Sequence, residues 1–226
     1  KFVQGTKLVY NKNGNVTAAG LYKNHYDGSV SGVFYTTFNA DNPIFDNPKL
    51  VEFPPDLIKL VVNDDFGGKR SEPGLSVNFK VNNIIVRNNG SVDLISEYIK
   101  VTESRSQTTN SIIHDYLYGD IITINIDKAG KATFTRVPKK QEYIGSPTFL
   151  GYYPLLYNDN LVLIYNDDKN NISRDVNRGP DGISKFKNSV LAAATIDAQG
   201  NLSRQSIYTN SDENFITIPK EISKIS

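Results

Sequence analysis

At 226 residues, 38% hydrophobic and 22% charged, the chain has the length of one large all-β domain and the composition of an ordinary soluble fold. Its 25 basic and 24 acidic residues leave a formal charge of +1, so nothing electrostatic points to nucleic acid or an anionic membrane as partner. The absence of cysteine excludes disulfides, Cys-held metals and a thiol nucleophile, and no apolar run reaches the roughly 20 residues of a transmembrane helix.

In chain order, Lys7 to Tyr10 reads as a short strand that stops at the Asn/Gly-rich stretch 11–15, whose residues accept the positive φ of a tight turn. Val16 to Tyr22, Gly32 to Phe38 and Lys49 to Phe53 complete a four-stranded unit, 7–53. Pro54-Pro55-Asp56 followed by Leu57, Ile58, Leu60 and Val61 predicts one short helix near 56–63 with Asp56 as N-cap, and a polar loop runs from 63 to 74. A second unit, 76–137, begins with Asn78 to Arg87, a turn at Asn88-Asn89-Gly90, and Val92 to Val101. A Ser/Thr/Gln/Asn-rich excursion from Thr102 to Ser111 separates these strands from a hairpin at 120–136. There Ile122, Ile124 and Ile126 alternate with polar residues, and Asp127 to Gly130 turns the chain. A third unit, 150–208, comprises Tyr152 to Tyr157, a turn at 158–160, Leu161 to Tyr165, a long polar loop 166–187, Val190 to Ile196 and Leu202 to Tyr208. Phe215 to Ile218 reads as the opening of a partial unit, 213–219.

The units share more than strand count. Ile126-Asp127 and Gly130 return as Ile196-Asp197 and Gly200, 70 residues later. The first turns, Asn13-Gly14, Asn89-Gly90 and Asn158-Asp159, are spaced by 76 and then 69 residues. Tandem four-stranded units joined by one long loop each predict a β-propeller-like array in a single domain, 1–226, with a β-sandwich as the alternative. A closed propeller takes at least about four blades, so three and a fraction predict an array that is incomplete within this chain.

Several side chains carry candidate chemistry. Lys139, Lys140, Gln141 and Tyr143 follow a strand directly, where loops on a rigid scaffold collect binding residues, and two ammonium groups beside an aromatic ring suit an acidic or sugar ligand. Charged residues that guard a sheet edge have the same look. Tyr143 with Tyr152 and Tyr153 offers a sugar-stacking platform, or plain packing between strands. His114 is a candidate acid or base, but Asp115, as its neighbour on a strand, would point to the opposite face. Glu97 interrupts the apolar run Val92, Leu94, Tyr98; directed inward it requires a partner such as Arg136. Asp167, Asp168 and Asp175 gather oxygen ligands suited to calcium, although the ordered ligand pattern and closing glutamate of the known calcium loop are missing. Neither an HExxH pair nor a nucleophile elbow, phosphate loop or dinucleotide fingerprint is present.

The segments 89–98, 118–130, 137–141, 161–167 and 189–197 together resemble a broad group of exported bacterial β-propeller-like proteins of unknown function. The resemblance spans roughly 7–219, departs at Phe134 where a Trp often stands, and implies export to the periplasm, cell surface or extracellular space. It implies no reaction. A chain that opens on Lys1 and holds no methionine is what removal of an export signal leaves, and equally what a fragment shows. The expectation is a non-enzymatic protein that needs no cofactor and binds a protein or glycan partner through its loops. The alternatives are a carbohydrate-active hydrolase or lyase that uses Glu97, His114 and the acidic stretch 166–168, and a structural module that pairs its sheet edges with another chain.

Overall fold

The computed structural model describes residues 1–10, 14–41, 47–63, 68, 72–213 and 215–223. Among the described residues thirteen strands form three antiparallel sheets, in which consecutive strands are neighbours apart from one short strand added to the second. The first sheet orders β1 (Phe2–Tyr10), β2 (Asn15–Lys23), β3 (Val30–Asn39) and β4 (Lys49–Glu52). The second orders β5 (Phe79–Val86), β6 (Val92–Arg105), β7 (Ile112–Ile126) and β8 (Ala132–Val137), with β9 (Gln141–Ile144) added against β7. The third orders β10 (Tyr152–Tyr157), β11 (Asn160–Asp167), β12 (Val190–Ile196) and β13 (Leu202–Thr209). The fold is thus all-β and propeller-like in its sheets, each being the up-and-down meander of a blade.

Turn chemistry sets the hairpins. Asn158 and Asp159 adopt φ of 48° and 61°, the pair of left-handed residues that a two-residue hairpin requires, and Tyr157 pairs with Asn160 across it. Between β7 and β8, Asp127 Oδ1 accepts from the Lys131 amide at 2.8 Å while Gly130 takes φ +84°. The equivalent turn between β12 and β13 repeats this with Asp197 Oδ1, the Asn201 amide at 2.9 Å, and Gly200 at φ +86°.

The short helix α1 (Pro55–Asn63) starts one residue ahead of its expected position. Proline at the first helical residue lacks only an N–H that would be unbonded anyway, so Asp56 lies inside the first turn and is not the cap. Leu57 and Val61, one turn apart, are its buried face.

The chain divides into two compact units: Lys1–Glu97 with Ile121–Arg136, and Tyr98–Asp120 with Val137–Ser226. The first unit's interior includes Leu21, Val33, Phe34, Phe79, Leu94, Ile122 and Ile124. In the second, Tyr118, Leu150, Ile183 and Phe186 form a core cluster against which Tyr116, Tyr143 and Phe149 pack.

Three expectations change. The segment 102–111 is not an excursion: β6 continues to Arg105 and β7 starts at Ile112, so the connection shrinks to a turn in which Asn110 takes φ 55°. His114 therefore lies within β7, not ahead of it. Residues 141–144 are not a loop, because Pro138 ends β8 and the chain then pairs with the other half of β7, Tyr118 opposite Gln141 and Tyr116 opposite Tyr143. Phe215 to Ile218 form no strand. The first turn, 11–13, and residues 64–67 and 69–71 of the polar loop after α1 lie outside the described residues.

Candidate functional site

Within the first unit, strand register assembles a cleft. Thr17 stands opposite Thr37, and two residues along the same face Ala19 stands opposite Tyr35, which in turn faces Lys49. Thr17 and Thr37 share a hydroxyl hydrogen bond of 3.0 Å. This polar face looks across at Ile84 to Val86 of β5 and at two turns, 87–90 and 127–130. The cleft has a volume of about 940 Å³, inside the range of roughly 300–1,000 Å³ usual for ligand sites. Its apolar floor comes from Ile84, Val86 and Val92, and its polar and aromatic lining from Tyr10, Asn15, Thr17, Tyr35, Thr37 and Asn88.

Charge in the cleft is uneven. Arg87 is buried and satisfied, its Nε and Nη2 donating to Asp93 at 2.6 and 3.1 Å. Asn125 donates to the same carboxylate at 2.8 Å, so this group belongs to the interior. Lys49 and Lys128 have no carboxylate partner among the described residues. The Lys49 ammonium lies 5.7 Å from the centre of the Tyr35 ring, whose hydroxyl donates to the Gly130 carbonyl at 2.8 Å.

In the second unit a different cluster forms around Lys139, which is fully buried. Its ammonium donates to Gln141 Oε1 at 3.0 Å and lies 5.8 Å from the centre of the Tyr118 ring, while its backbone amide donates to Asp120 at 3.1 Å. Gln141 accepts also from the Gly151 amide and donates to the Asn166 carbonyl at 2.7 Å. Asp167 Oδ1 accepts from Asn171 at 2.7 Å and from the Asp168 amide at 2.8 Å; its Oδ2 has no hydrogen-bond partner. Burial pushes Asp120 up to about 8 and Asp167 up to about 7, even though the Lys139 ammonium draws both down. The Tyr165 hydroxyl is raised as well, first by burial and then by the neighbouring Asp167.

This arrangement redirects the sequence-predicted residues. Lys139 and Gln141 face the interior, because strand pairing of 141–144 with β7 carries them under the sheet, and burial takes them out of reach of a ligand in solvent. Lys140 stays partly exposed and pairs with Glu142 at 3.2 Å. Tyr143 meets Phe149 and Phe186 edge-on, and Tyr152 is buried, so these rings pack inside the unit and present no open platform. His114 reaches the exposed Glu103 at 3.1 Å. Glu97 is buried and accepts from Asn82 at 2.9 Å. Asp168 caps a short turn through the Asn170 amide, and Asp175 accepts from Asn177. Among the described residues no three His, Asp or Glu side chains gather as a metal site requires.

The cleft was not foreseen. Its lining comes from six separate stretches, so only its turn glycines, Gly90 and Gly130, were visible signals. No protein-family model and no curated protein matches the chain.

Proposed function

We propose that this protein is an exported, non-enzymatic, propeller-like binding protein whose partner is a carbohydrate, held in the cleft of the first unit. The cleft itself carries the reading: a concave site that joins an apolar floor to hydroxyls, amides and the exposed Tyr10 ring offers both contacts that a sugar needs, its C–H face and its hydroxyl edge. A binding role is also favoured over hydrolysis or lysis by the disposition of the acid and base candidates. Asp120 and Asp167 are enclosed, and His114 and Glu97 are each engaged by a local partner. The three meanders support their reading as copies of one blade-like unit.

The test is a glycan array probed with the labelled protein, followed by titration of the best oligosaccharide against the Tyr10→Ala and Thr37→Ala variants. Binding that weakens in both variants supports the assignment. Saccharide binding that neither substitution alters, or turnover of the bound oligosaccharide, contradicts it.

A further inference from the structure

Two lysines line this cleft, and each passes close over a turn glycine. A side chain at Gly130 would put a Cβ 2.9 Å from the Lys49 ammonium and 2.1 Å from the Tyr35 hydroxyl, so the bare glycine is what lets the Lys49–Tyr35 pair close over the turn. A Cβ at Gly90 would fall 2.6 Å from Lys128 Cε, so the end of that lysine passes close over the turn. A cation positioned before the ligand arrives loses less conformational freedom on binding, which is the condition under which a surface lysine contributes to affinity. The nearby acid, Asp127, directs one carboxylate oxygen into its own turn, at the Lys131 amide. Arg87 is neutralised by Asp93. With Arg87 neutralised, the charged groups left lining the cleft are two lysines and one carboxylate, a net positive balance.

We infer that the cleft selects acidic saccharides, those with a uronate carboxylate or a sulfate, with Lys49 and Lys128 gripping the anion. The inference rests on the carbohydrate reading above and adds the charge of the ligand. Lysine, a point cation without the planar fork of arginine, suits either anion, so the chemistry leaves carboxylate and sulfate to be separated by experiment.

Calorimetric titration of the full chain with oligogalacturonate, a sulfated heparin-derived oligosaccharide and a neutral cello-oligosaccharide of matched length tests this. At least one acidic ligand should bind about tenfold tighter than the neutral one, with the gap closing as salt rises. Lys49→Ala and Lys128→Ala should each remove most of that preference, while Lys49→Arg and Lys128→Arg keep it. Equal affinity for acidic and neutral ligands overturns the charge inference and leaves the carbohydrate site standing. An absence of binding by all three, with the strand signature intact in circular dichroism, overturns both.

Discussion

Arg87 and Asp93 are the clearest case of a charge pair whose value depends on both partners being present. Both side chains are enclosed, the two bonds are 2.6 and 3.1 Å, and Asn125 takes up a further lone pair. Removing one partner strands the other in a medium that solvates it poorly, so Asp93→Ala should lower stability by about 3–5 kcal/mol in chemical denaturation. Arg87→Met combined with Asp93→Leu should recover most of that loss; a double variant as unstable as the single one would refute the account of stranded charge. The second unit makes the opposite electrostatic statement. Asp120 and Asp167 titrate at about 8 and about 7 when folded, against 3.8 for a free aspartate. The native state therefore retains protons that the unfolded chain has released. The stabilisation is complete below about pH 4 and is lost as pH rises through about 7 and 8. The thermal midpoint should fall from about pH 5 to about pH 9, and Asp120→Asn, which keeps an acceptor for the Lys139 amide, should flatten that fall. A midpoint that climbs over the same interval would show these carboxyls to be ionised in the fold. The sequence marked Lys139, Gln141 and Asp167 as worth attention, but it assigned them to a ligand or a metal. Lys139 and Gln141 read as surface until the pairing of 141–144 with β7 is known, and Asp167 until β11 is paired with β12.

At the scale of elements, turns were the most legible feature and strand lengths the least. The strands of the third sheet fall close to their expected positions because Asn158-Asp159 and Gly200 fix the hairpins locally. β1 is longer than the sequence suggested: Gly5, which reads as a breaker, takes φ +74° in a bulge where the register shifts between Gln4 and Thr6, so the strand passes through it. β6 outruns expectation because its outer half is polar and exposed, and β7 because its first half, Ile112 to Leu117, is half-buried and broken by His114-Asp115, so no clean alternation announces either. The turn glycines give a clean comparison. Gly130 and Gly145 share a left-handed backbone, at φ +84° and +92°, but a Cβ on Gly145 meets nothing while one on Gly130 meets Tyr35 and Lys49. Gly145→Ala should cost only the backbone penalty, about 1–2 kcal/mol, and Gly130→Ala distinctly more, because it also forces Tyr35 off the Gly130 carbonyl. Equal losses in thermal melts would mean that Tyr35 yields without consequence and does not hold the turn.

For the whole molecule, a formal charge of +1 gives no reason to expect a general electrostatic partner, yet net charge is blind to where the charges stand. Two lysines at one cleft, with no carboxylate partner among the described residues, are invisible in a sum of 25 basic and 24 acidic residues. The all-β class and the up-and-down sheets were readable from alternation and turn spacing, since both are local properties. The cleft was not, because its residues meet only through the register of one sheet and the turns of another. The most direct measurement is therefore backbone hydrogen exchange of the full chain with and without saturating oligogalacturonate. The account predicts slowed exchange at 35–37, 87–90 and 127–130, with 139–143 and 166–171 unchanged. Protection confined to 139–143 and 166–171, or absent from all three cleft segments while the ligand is bound, would contradict it.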